Sequence, residues 1–308
     1  MPIDSSVKGV FAIAATPFLP TGQVDYDSVD RLTDFYQEAE VDGITILGIM
    51  GEAQKLDPEE AREIVHRVTK RSKVPVIVGV SAPGLAAMKS LSRSAMDSGA
   101  AGVMIAPHSN LKTDDQIVSY YGQCIEAIGE DIPFVIQDYP LVLNVVMAPS
   151  VIRAIVQNHP SCVMLKHEDW PGLEKISALR RFQAAGTMRE ISILCGNGGL
   201  FLDFETERGA DGAMTGYAFP EMLVDVVRHH RVGERDKAHD LFDAHLPLLR
   251  YEQQAGIGLA VRKHVLQRRK AIAHSHMRKP AMALSEEARA EVDYLLRRLA
   301  KHDKRAII

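Results

Sequence analysis

The residues with the clearest chemical potential are an amine and a carboxylate at the end of a short apolar run. Cys162–Leu165 is apolar and is followed by Lys166, which is typical of a buried strand that ends in a polar residue. Side chains alternate along a strand, so Lys166 and Glu168 are predicted to share one face. Met164 and Cys162 are predicted on that same face. Taken alone, the pattern is more typical of a lysine that reaches solvent and pairs with a nearby acidic residue.

The composition is that of an ordinary globular chain. Hydrophobic residues make up 46% and charged residues 25% of the 308 residues, with a net charge of −4, which indicates neither nucleic acid nor a membrane as a partner. No apolar stretch reaches the length of a membrane-spanning helix. Cys124, Cys162 and Cys195 lack metal-ligand spacing, so we expect reduced core thiols in a cytoplasmic protein.

Eight strand-like runs alternate with helical segments and recur about every 29 residues, the size of one βα unit. The predicted strands span 9–16, 43–48, 75–80, 102–106, 133–137, 162–166, 191–195 and 211–215. The predicted helices span 26–40, 57–71, 85–98, 114–128, 148–157, 172–184, 199–208 and 221–231. This uniform rhythm favours an α/β fold, a closed (β/α)8 TIM barrel over residues 1–231, rather than an open doubly wound sheet.

Residues 232–308 are predicted to form a C-terminal helical extension, with helices near 233–254, 256–270 and 285–301. The first two are apolar at helical spacing, so we expect them to pack on the barrel or on another subunit. The basic cluster at 262–270 is interpreted as a solvated helix face. The 12 histidines lack the spacing of metal ligands, and we predict no metal site.

The C-terminal ends of the strands are where barrels of this kind carry their chemistry, and Lys166 is the one lysine there. The predicted ends carry Thr16, residues 49–52, Ser81, and residues 107–109, 137–140, 166–168, 196–198 and 215–216. A lysine enclosed by apolar strands is costly to keep charged. Its neutral amine is a nucleophile that forms a Schiff base with a ketone or aldehyde, an electron sink for breaking a neighbouring C–C or C–O bond.

Several motifs spread along the chain match one superfamily. They are GVFAIAATPF at 9–18, the GxxGE turn at 48–52, the turn after the fifth strand that ends at Pro140, the sixth-strand Lys166 and GADGAMTG at 209–216. Together they resemble the dihydrodipicolinate synthase and N-acetylneuraminate lyase superfamily of class I pyruvate-type aldolases and dehydratases. The resemblance implies that Lys166 carries the Schiff base, that no separate cofactor is needed, and that the chain forms a homotetramer.

Departures from the family pattern concern the proton relay. Family aldolases usually carry two threonines where this chain has Ile49 and Met50. The proton-shuttling tyrosine aligns with Gln137, and a second tyrosine is replaced at Ser109. The arginine that grips the second substrate in dihydrodipicolinate synthase has Val142 near its place. These departures argue against a synthase of lysine biosynthesis.

The sequence resembles more closely the 2-keto-3-deoxy-L-arabonate dehydratases of that superfamily. Their turn after the fifth strand reads QDxP, as at 137–140 here. Their KxExPG-like motif is close to Lys166–Gly172, which has one extra residue before Pro171. In those enzymes the glutamate two residues after the lysine is the acid and base, and the match gives this role to Glu168. The implied reaction is dehydration of a 2-keto-3-deoxy sugar acid.

The catalytic residues predicted on this basis are Lys166, Glu168 and Gln137. Lys166 condenses with the C2 ketone of a 2-oxo acid, and Glu168 removes a C3 proton and assists loss of the C4 hydroxyl. The predicted substrate-binding residues are Ile49, Met50, Gly51, Tyr139, Thr215 and Gly216. The backbone N–H groups of the first three are expected to bind the substrate carboxylate.

Two further expectations concern residues near the mouth. Gln137 and Tyr139 share a strand face and are expected to orient substrate hydroxyls, although a tyrosine at such a position more often packs. His167 alternates away from Lys166 and is expected to be structural.

Two alternatives stay open. A pyruvate-dependent aldolase would use the same lysine, but the usual tyrosine base is absent. A non-catalytic binding or regulatory relative would keep the barrel without the chemistry, and the presence of both Lys166 and Glu168 argues against it.

Overall fold

The computed structural model describes residues 1–170 and 172–308, so Pro171 of the predicted motif lies outside the described residues. Within these ranges, eight parallel strands close into a barrel in chain order, and β1 pairs with both β2 and β8. The strands are β1 Gly9–Ile13, β2 Gly43–Ile46, β3 Val76–Gly79, β4 Gly102–Ile105, β5 Phe134–Asp138, β6 Cys162–His167, β7 Ser192–Cys195 and β8 Gly212–Thr215. The predicted TIM barrel is confirmed.

Helices connect the strands and continue beyond β8. They are α1 Tyr26–Glu38, α2 Pro58–Arg71, α3 Leu85–Asp97, α4 Asp114–Ile128, α5 Pro140–Leu143, α6 Pro149–Asn158, α7 Leu173–Ala184, α8 Leu202–Glu207, α9 Pro220–Arg231, α10 Arg235–Glu252, α11 Gly258–Arg268 and α12 Glu286–Leu299. The sequence did not predict α5, a single turn that begins at a proline and ends at the left-handed Asn144. Across the described residues, we find no helix with the length and apolarity needed to cross a membrane.

Two apolar clusters form the core. The inner cluster fills the barrel and includes Phe11, Ile13, Ile77, Met104, Val135, Met164, Leu194 and Met214. The larger outer cluster lies between the strands and the surrounding helices. The free cysteines Cys124, Cys162 and Cys195 are buried, as predicted.

The predicted orientation of one side chain on β6 is wrong. Met164 lies in the inner cluster as predicted, but Cys162 lies in the outer cluster. The pairing with β5 shifts register after Phe134 and skips Val163, so a bulge adds one residue and restarts the alternation. The residues beyond the bulge, including Lys166, keep the predicted facing.

The helices beyond β8 pack back onto the barrel unit, with α10 in contact with α9, α11 and α12. The interpretation of 262–270 as a solvated face is wrong, because Arg262 is 3% exposed and Lys263 is 0% exposed. Arg262 pairs with Glu252, and Lys263 pairs with Glu52 of the turn after β2. These carboxylates come from other segments, so the local charge pattern did not reveal them.

Barrel closure between β1 and β8 requires glycine. Gly9 pairs with Gly212, and a Cβ built on Gly212 lies only 1.9 Å from the Gly9 carbonyl oxygen. The φ of Gly212 is +152°, a value that residues with a side chain rarely adopt.

We predict that Gly212→Ala lowers the free energy of unfolding by about 3 kcal/mol, because a methyl group would overlap backbone that cannot move without opening the barrel. Urea denaturation followed by circular dichroism measures the change. The matched control is Gly122→Ala in α4, where the nearest atom to a new Cβ is 3.9 Å away, so little or no loss is expected. Equal stability of the two variants would contradict the closure argument.

Candidate active site

Lys166 and Glu168 lie together at the C-terminal end of β6. Lys166 Nζ is 3.0 Å from Glu168 Oε2, and each residue is 5% exposed. Pairing with β5 continues past the end of the strand, since the Glu168 amide donates to the Asp138 carbonyl over 2.8 Å. This bond keeps Glu168 on the same face as Lys166. The structure therefore brings the two predicted residues into direct contact.

The carboxylate of Glu168 is held from both neighbouring strands. Gln137 Nε2 donates to Oε2 over 2.7 Å, and the Asn197 amide donates to Oε1 over 3.4 Å. Gly196 leaves the room for this arrangement, because a Cβ there would lie 2.1 Å from Glu168 Cγ. The predicted Gln137 therefore contacts the carboxylate.

Asn197 is a site residue to which the sequence analysis assigned no role. Its Nδ2 also donates to the Glu168 carbonyl over 2.8 Å, and its φ is +50°, a conformation that asparagine tolerates better than most residues. The sequence signal that points to Asn197 is its position between two glycines just after β7. Sequence alone did not show that this turn folds over Glu168.

The turn after β2 offers two free backbone donors. Among the described residues, the amides of Ile49 and Met50 have no backbone acceptor, whereas the Gly51 amide donates to the Gly48 carbonyl over 3.0 Å. Thr16 Oγ1 donates to the Gly51 carbonyl over 2.6 Å and fixes the turn. Of the three amides predicted to bind the substrate carboxylate, those of Ile49 and Met50 are therefore candidates, whereas the Gly51 amide stabilises the turn.

A buried ionic group supports the strand ends from outside the barrel. Lys175 of α7 pairs with Asp138 and with Asp169, each over 2.7 Å. Asp138 immediately follows Gln137, and Asp169 immediately follows Glu168. Lys175 therefore ties together the two segments that carry these site residues. Asp169 has its own cation, so it does not compete with Glu168 for Lys166.

His167 lies on the outer side of β6, as the alternation predicted. It is fully buried, and a Cβ on Gly172 would lie 2.0 Å from its Nε2. Close packing of the ring on Gly172 explains why the motif needs glycine at that position. His167 packs behind the site and does not point into it.

The other predicted residues line the mouth to different degrees. Tyr139 is half-buried; burial and the nearby Glu168 charge raise its pKa to about 12, while Arg262 acts in the opposite direction. Met50 lies over Gly216, where a Cβ would be 2.4 Å from its Sδ. Thr215 is buried at the end of β8, and no hydrogen bond in the described residues joins it to Lys166 or Glu168.

One group of possible metal ligands lies away from the mouth. Among the described residues, Glu207, His230 and His239 offer ligand atoms within 4.8 Å of one another. Glu207 already pairs with Arg235 and His239 there. Within the described residues, no hydrogen bond or ion pair joins this group to Lys166 or Glu168.

The geometry of the mouth is suited to proton transfer between an amine and a carboxylate. At 3.0 Å, Lys166 Nζ can pass a proton directly to Glu168 Oε2. The amine then becomes a nucleophile, and the inner apolar cluster shields it from water on the barrel side. A carbonyl carbon that reaches Nζ has a proton donor and acceptor beside it.

Comparison with known proteins identifies the family of the chain. Residues 6–299 match the Dihydrodipicolinate synthetase family. The chain belongs to this family. It is a lyase, and the resemblance inferred from its motifs is confirmed.

Individual relatives in the Dihydrodipicolinate synthetase family carry different activities. L-2-keto-3-deoxyarabonate dehydratase from Azospirillum brasilense is 30% identical over 309 residues, covering 95% of this chain and 94% of that protein. A crystal structure of dihydrodipicolinate synthase from Rhodopseudomonas palustris is 62% identical, with a TM-score of 0.96, and covers 97% of this chain and 99% of the other. Putative 2-dehydro-3-deoxy-D-gluconate aldolase YagE from Escherichia coli is 25% identical over 309 residues, covering 97% and 99% of the two chains.

This family member also buries an acid behind its site. Glu205 of α8 accepts a hydrogen bond from the Cys195 thiol, and its burial raises its pKa to about 7 from a usual 4.5. The unfolded chain therefore ionises Glu205 first as pH rises. The stabilisation from the protonated form is complete below pH 4.5 and is lost by about pH 7.

We predict that Glu205→Gln removes this pH dependence. Relative to the variant, the wild type is expected to lose up to about 3 kcal/mol of unfolding free energy as pH rises through this window. Urea denaturation at half-unit pH steps measures the difference, with the exposed Glu190→Gln as the control. Parallel profiles for the wild type and Glu205→Gln would show that Glu205 ionises normally.

Proposed function

We propose that the chain is a Schiff-base dehydratase that acts on a 2-keto-3-deoxy sugar acid. The observation that carries the proposal is the contact of 3.0 Å between Lys166 Nζ and Glu168 Oε2. The same oxygen also accepts a bond from Gln137. The similarity to L-2-keto-3-deoxyarabonate dehydratase supports the proposal.

The first steps build the electron sink. Lys166 transfers a proton to Glu168, and the neutral amine attacks the C2 carbonyl of the substrate. Glu168 then returns the proton to the former carbonyl oxygen, which leaves as water, so that an iminium ion remains between Nζ and C2 and Glu168 is again a carboxylate. The positive charge makes the C3 hydrogens acidic.

The elimination steps use Glu168 in both directions. Its carboxylate takes a C3 proton, and the resulting enamine expels the C4 hydroxyl as the iminium re-forms. Glu168 returns the proton to the departing oxygen, which leaves as water. Addition of water at C2 then releases the dehydrated 2-oxo acid and frees Lys166.

The neighbouring residues position these groups. Gln137 and Asn197 hold the Glu168 carboxylate, so it meets the C3 hydrogen in one orientation. The substrate carboxylate is bound by the amides of Ile49 and Met50, the free donors of the turn after β2. No separate cofactor takes part in this scheme.

An aldolase or synthase would need a different relay. Gln137 has no acidic proton, so it cannot shuttle protons as a tyrosine does. Val142, near the place of the family's substrate-binding arginine, is 48% exposed and carries no charge. For these reasons we favour dehydration, although the structure that is 62% identical belongs to a dihydrodipicolinate synthase.

The assembly and location belong to the same proposal. We infer a homotetramer in the cytoplasm, on the motif resemblance and on the free thiols.

The decisive experiment is borohydride trapping. We expect wild-type protein incubated with pyruvate or a 2-keto-3-deoxy sugar acid, then reduced, to gain the adduct mass on Lys166. Lys166→Ala is expected to gain none, while the exposed Lys112→Ala behaves as wild type. Release of pyruvate from the sugar acid would indicate an aldolase, and loss of water without pyruvate a dehydratase. Absence of an adduct with any 2-oxo acid would favour a non-catalytic relative.

A second prediction distinguishes the role of Glu168 from the role of Lys166. Glu168→Gln is expected to form the adduct but to lower kcat at least a hundredfold, within the usual range for general acid and base groups of roughly 10²–10⁴. Single-turnover loss of water measures the effect. The control is Glu174→Gln, because the Glu174 side chain is 78% exposed in α7. Unchanged turnover in Glu168→Gln would remove this residue from the mechanism.

A further inference from the structure

Arg262 of α11 is a buried cation whose outer edge has no oxygen acceptor in the part of the chain that the structure describes. Its Nε donates to Glu252 Oε2 over 2.8 Å, and the residue is 3% exposed. Its Nη1 contacts Met50 Sδ at 2.6 Å, and a thioether is only a weak acceptor. Among the described residues, neither Nη atom donates to an oxygen. The ion pair with Glu252 therefore uses Nε and leaves the hydrogen-bonding capacity of the Nη atoms toward oxygen unused within the described residues.

The guanidinium lies at the barrel mouth. A Cβ on Gly216, which follows β8, would lie 3.0 Å from Nη1, and Met50 belongs to the turn after β2. The charges of both Arg262 and Glu168 act on the phenol of Tyr139, which follows β5. Arg262 thus shares the mouth with Glu168 but is attached to a different part of the chain.

A second side chain from the same region also reaches the mouth. Gln253, at the end of α10, lies over Gly198 so closely that a Cβ there would be 2.0 Å from its Nε2. Gly198 follows Asn197, which bonds to Glu168. Glu252, the partner of Arg262, immediately precedes Gln253. The helices after β8 therefore cover the strand ends with polar groups.

We propose that Arg262 forms a second anion subsite, which binds a carboxylate at the end of the substrate opposite the 2-oxo acid. The substrate is then a dicarboxylic 2-keto-3-deoxy sugar acid, a statement that rests on the proposed function. The planar edge of a guanidinium matches the two oxygens of a carboxylate. Glu252 holds the guanidinium by Nε, and the flexible thioether of Met50, a weak acceptor, lies against this edge in place of a carboxylate.

The position of the subsite agrees with the direction in which a longer substrate must extend. One carboxylate is assigned to the amides of Ile49 and Met50, and C2 must reach Lys166 inside the barrel. The remaining carbons can lead only outward, since the inner apolar cluster closes the barrel below. Arg262 meets the chain end there, because the lack of a side chain at Gly216 lets the guanidinium and Met50 lie close to the end of β8.

The test compares 2-oxo acids of equal length that differ only at the far end. Calorimetry with 2-oxoglutarate against 2-oxopentanoate, and with 2-oxoadipate against 2-oxohexanoate, measures the preference. We expect the wild type to bind at least one dicarboxylate roughly tenfold to hundredfold more tightly than its partner, as a charge-assisted bond provides. Equal affinities in both pairs would overturn the proposal, as would a 2-keto-3-deoxypentonate that binds as tightly as the dicarboxylates.

Variants locate the preference on Arg262. Arg262→Met is expected to lose it while still forming the borohydride adduct with pyruvate, and Arg262→Lys is expected to retain part of it. The control Arg268→Met, on the same helix but paired with Asp293, keeps the full preference. Retention of the preference in Arg262→Met would assign it to another residue. If that variant does not fold, Glu252→Gln replaces it: removing the competing charge is expected to increase the preference, and a decrease would contradict the subsite.

The subsite and the Schiff-base function can fail separately. The same calorimetric comparison on Lys166→Ala measures the preference without covalent chemistry. A preference there, together with no borohydride adduct in the wild type, would retain the subsite and reject the proposed function. An adduct with pyruvate but equal binding of the matched acids would retain the function and reject the subsite.

Discussion

The arrangement of this protein depends on one buried contact, between the amine of Lys166 and the carboxylate of Glu168. Two opposite charges in a nearly dry site attract strongly, but each is costly to remove from water unless its remaining bonds are satisfied. Gln137 and Asn197 supply those bonds to the carboxylate. Parallel strands of a closed barrel are what place these donors on both sides of one residue. The fold thus holds a reactive pair at short range without letting either member turn to solvent.

The outer side of the strand ends stabilises the same contact. Lys175 joins Asp138 to Asp169, and these residues lie next to Gln137 and Glu168 in the chain. Removing one partner would leave a buried charge uncompensated, which is costly. The rigidity needed inside the barrel is therefore provided by ionic contacts outside it, where no substrate interferes.

Much of the fold and of the site could be predicted from the sequence, because it depends on local patterns. Strand number and helix positions follow from apolar runs and caps, which are local signals, such as the capping box that Asp57 and Glu60 form at the start of α2. The pairing of Lys166 with Glu168 followed from alternation along one strand. What could not be read depends on distant segments: the bulge at Val163, the turn that brings Asn197 to Glu168, and the carboxylates that bury Arg262 and Lys263. The sequence around each of these residues does not indicate which distant segment will pack against it.

The bulge at Val163 divides β6 into a lower and an upper segment with independent side-chain phases. Below it, the facing of β6 is set by the pairing of Phe134 with Cys162, and above it by the pairing of Val135 with Met164. Near the lower segment, Ile3 closes the bottom of the barrel, and its amide donates to the Ala101 carbonyl. Substitutions that repack this floor leave the direction of Lys166 unchanged, because the phase is reset before the lysine is reached. Substitutions at the bottom of the barrel can therefore change the stability of the protein while the side chains of Lys166 and Glu168 keep their orientation.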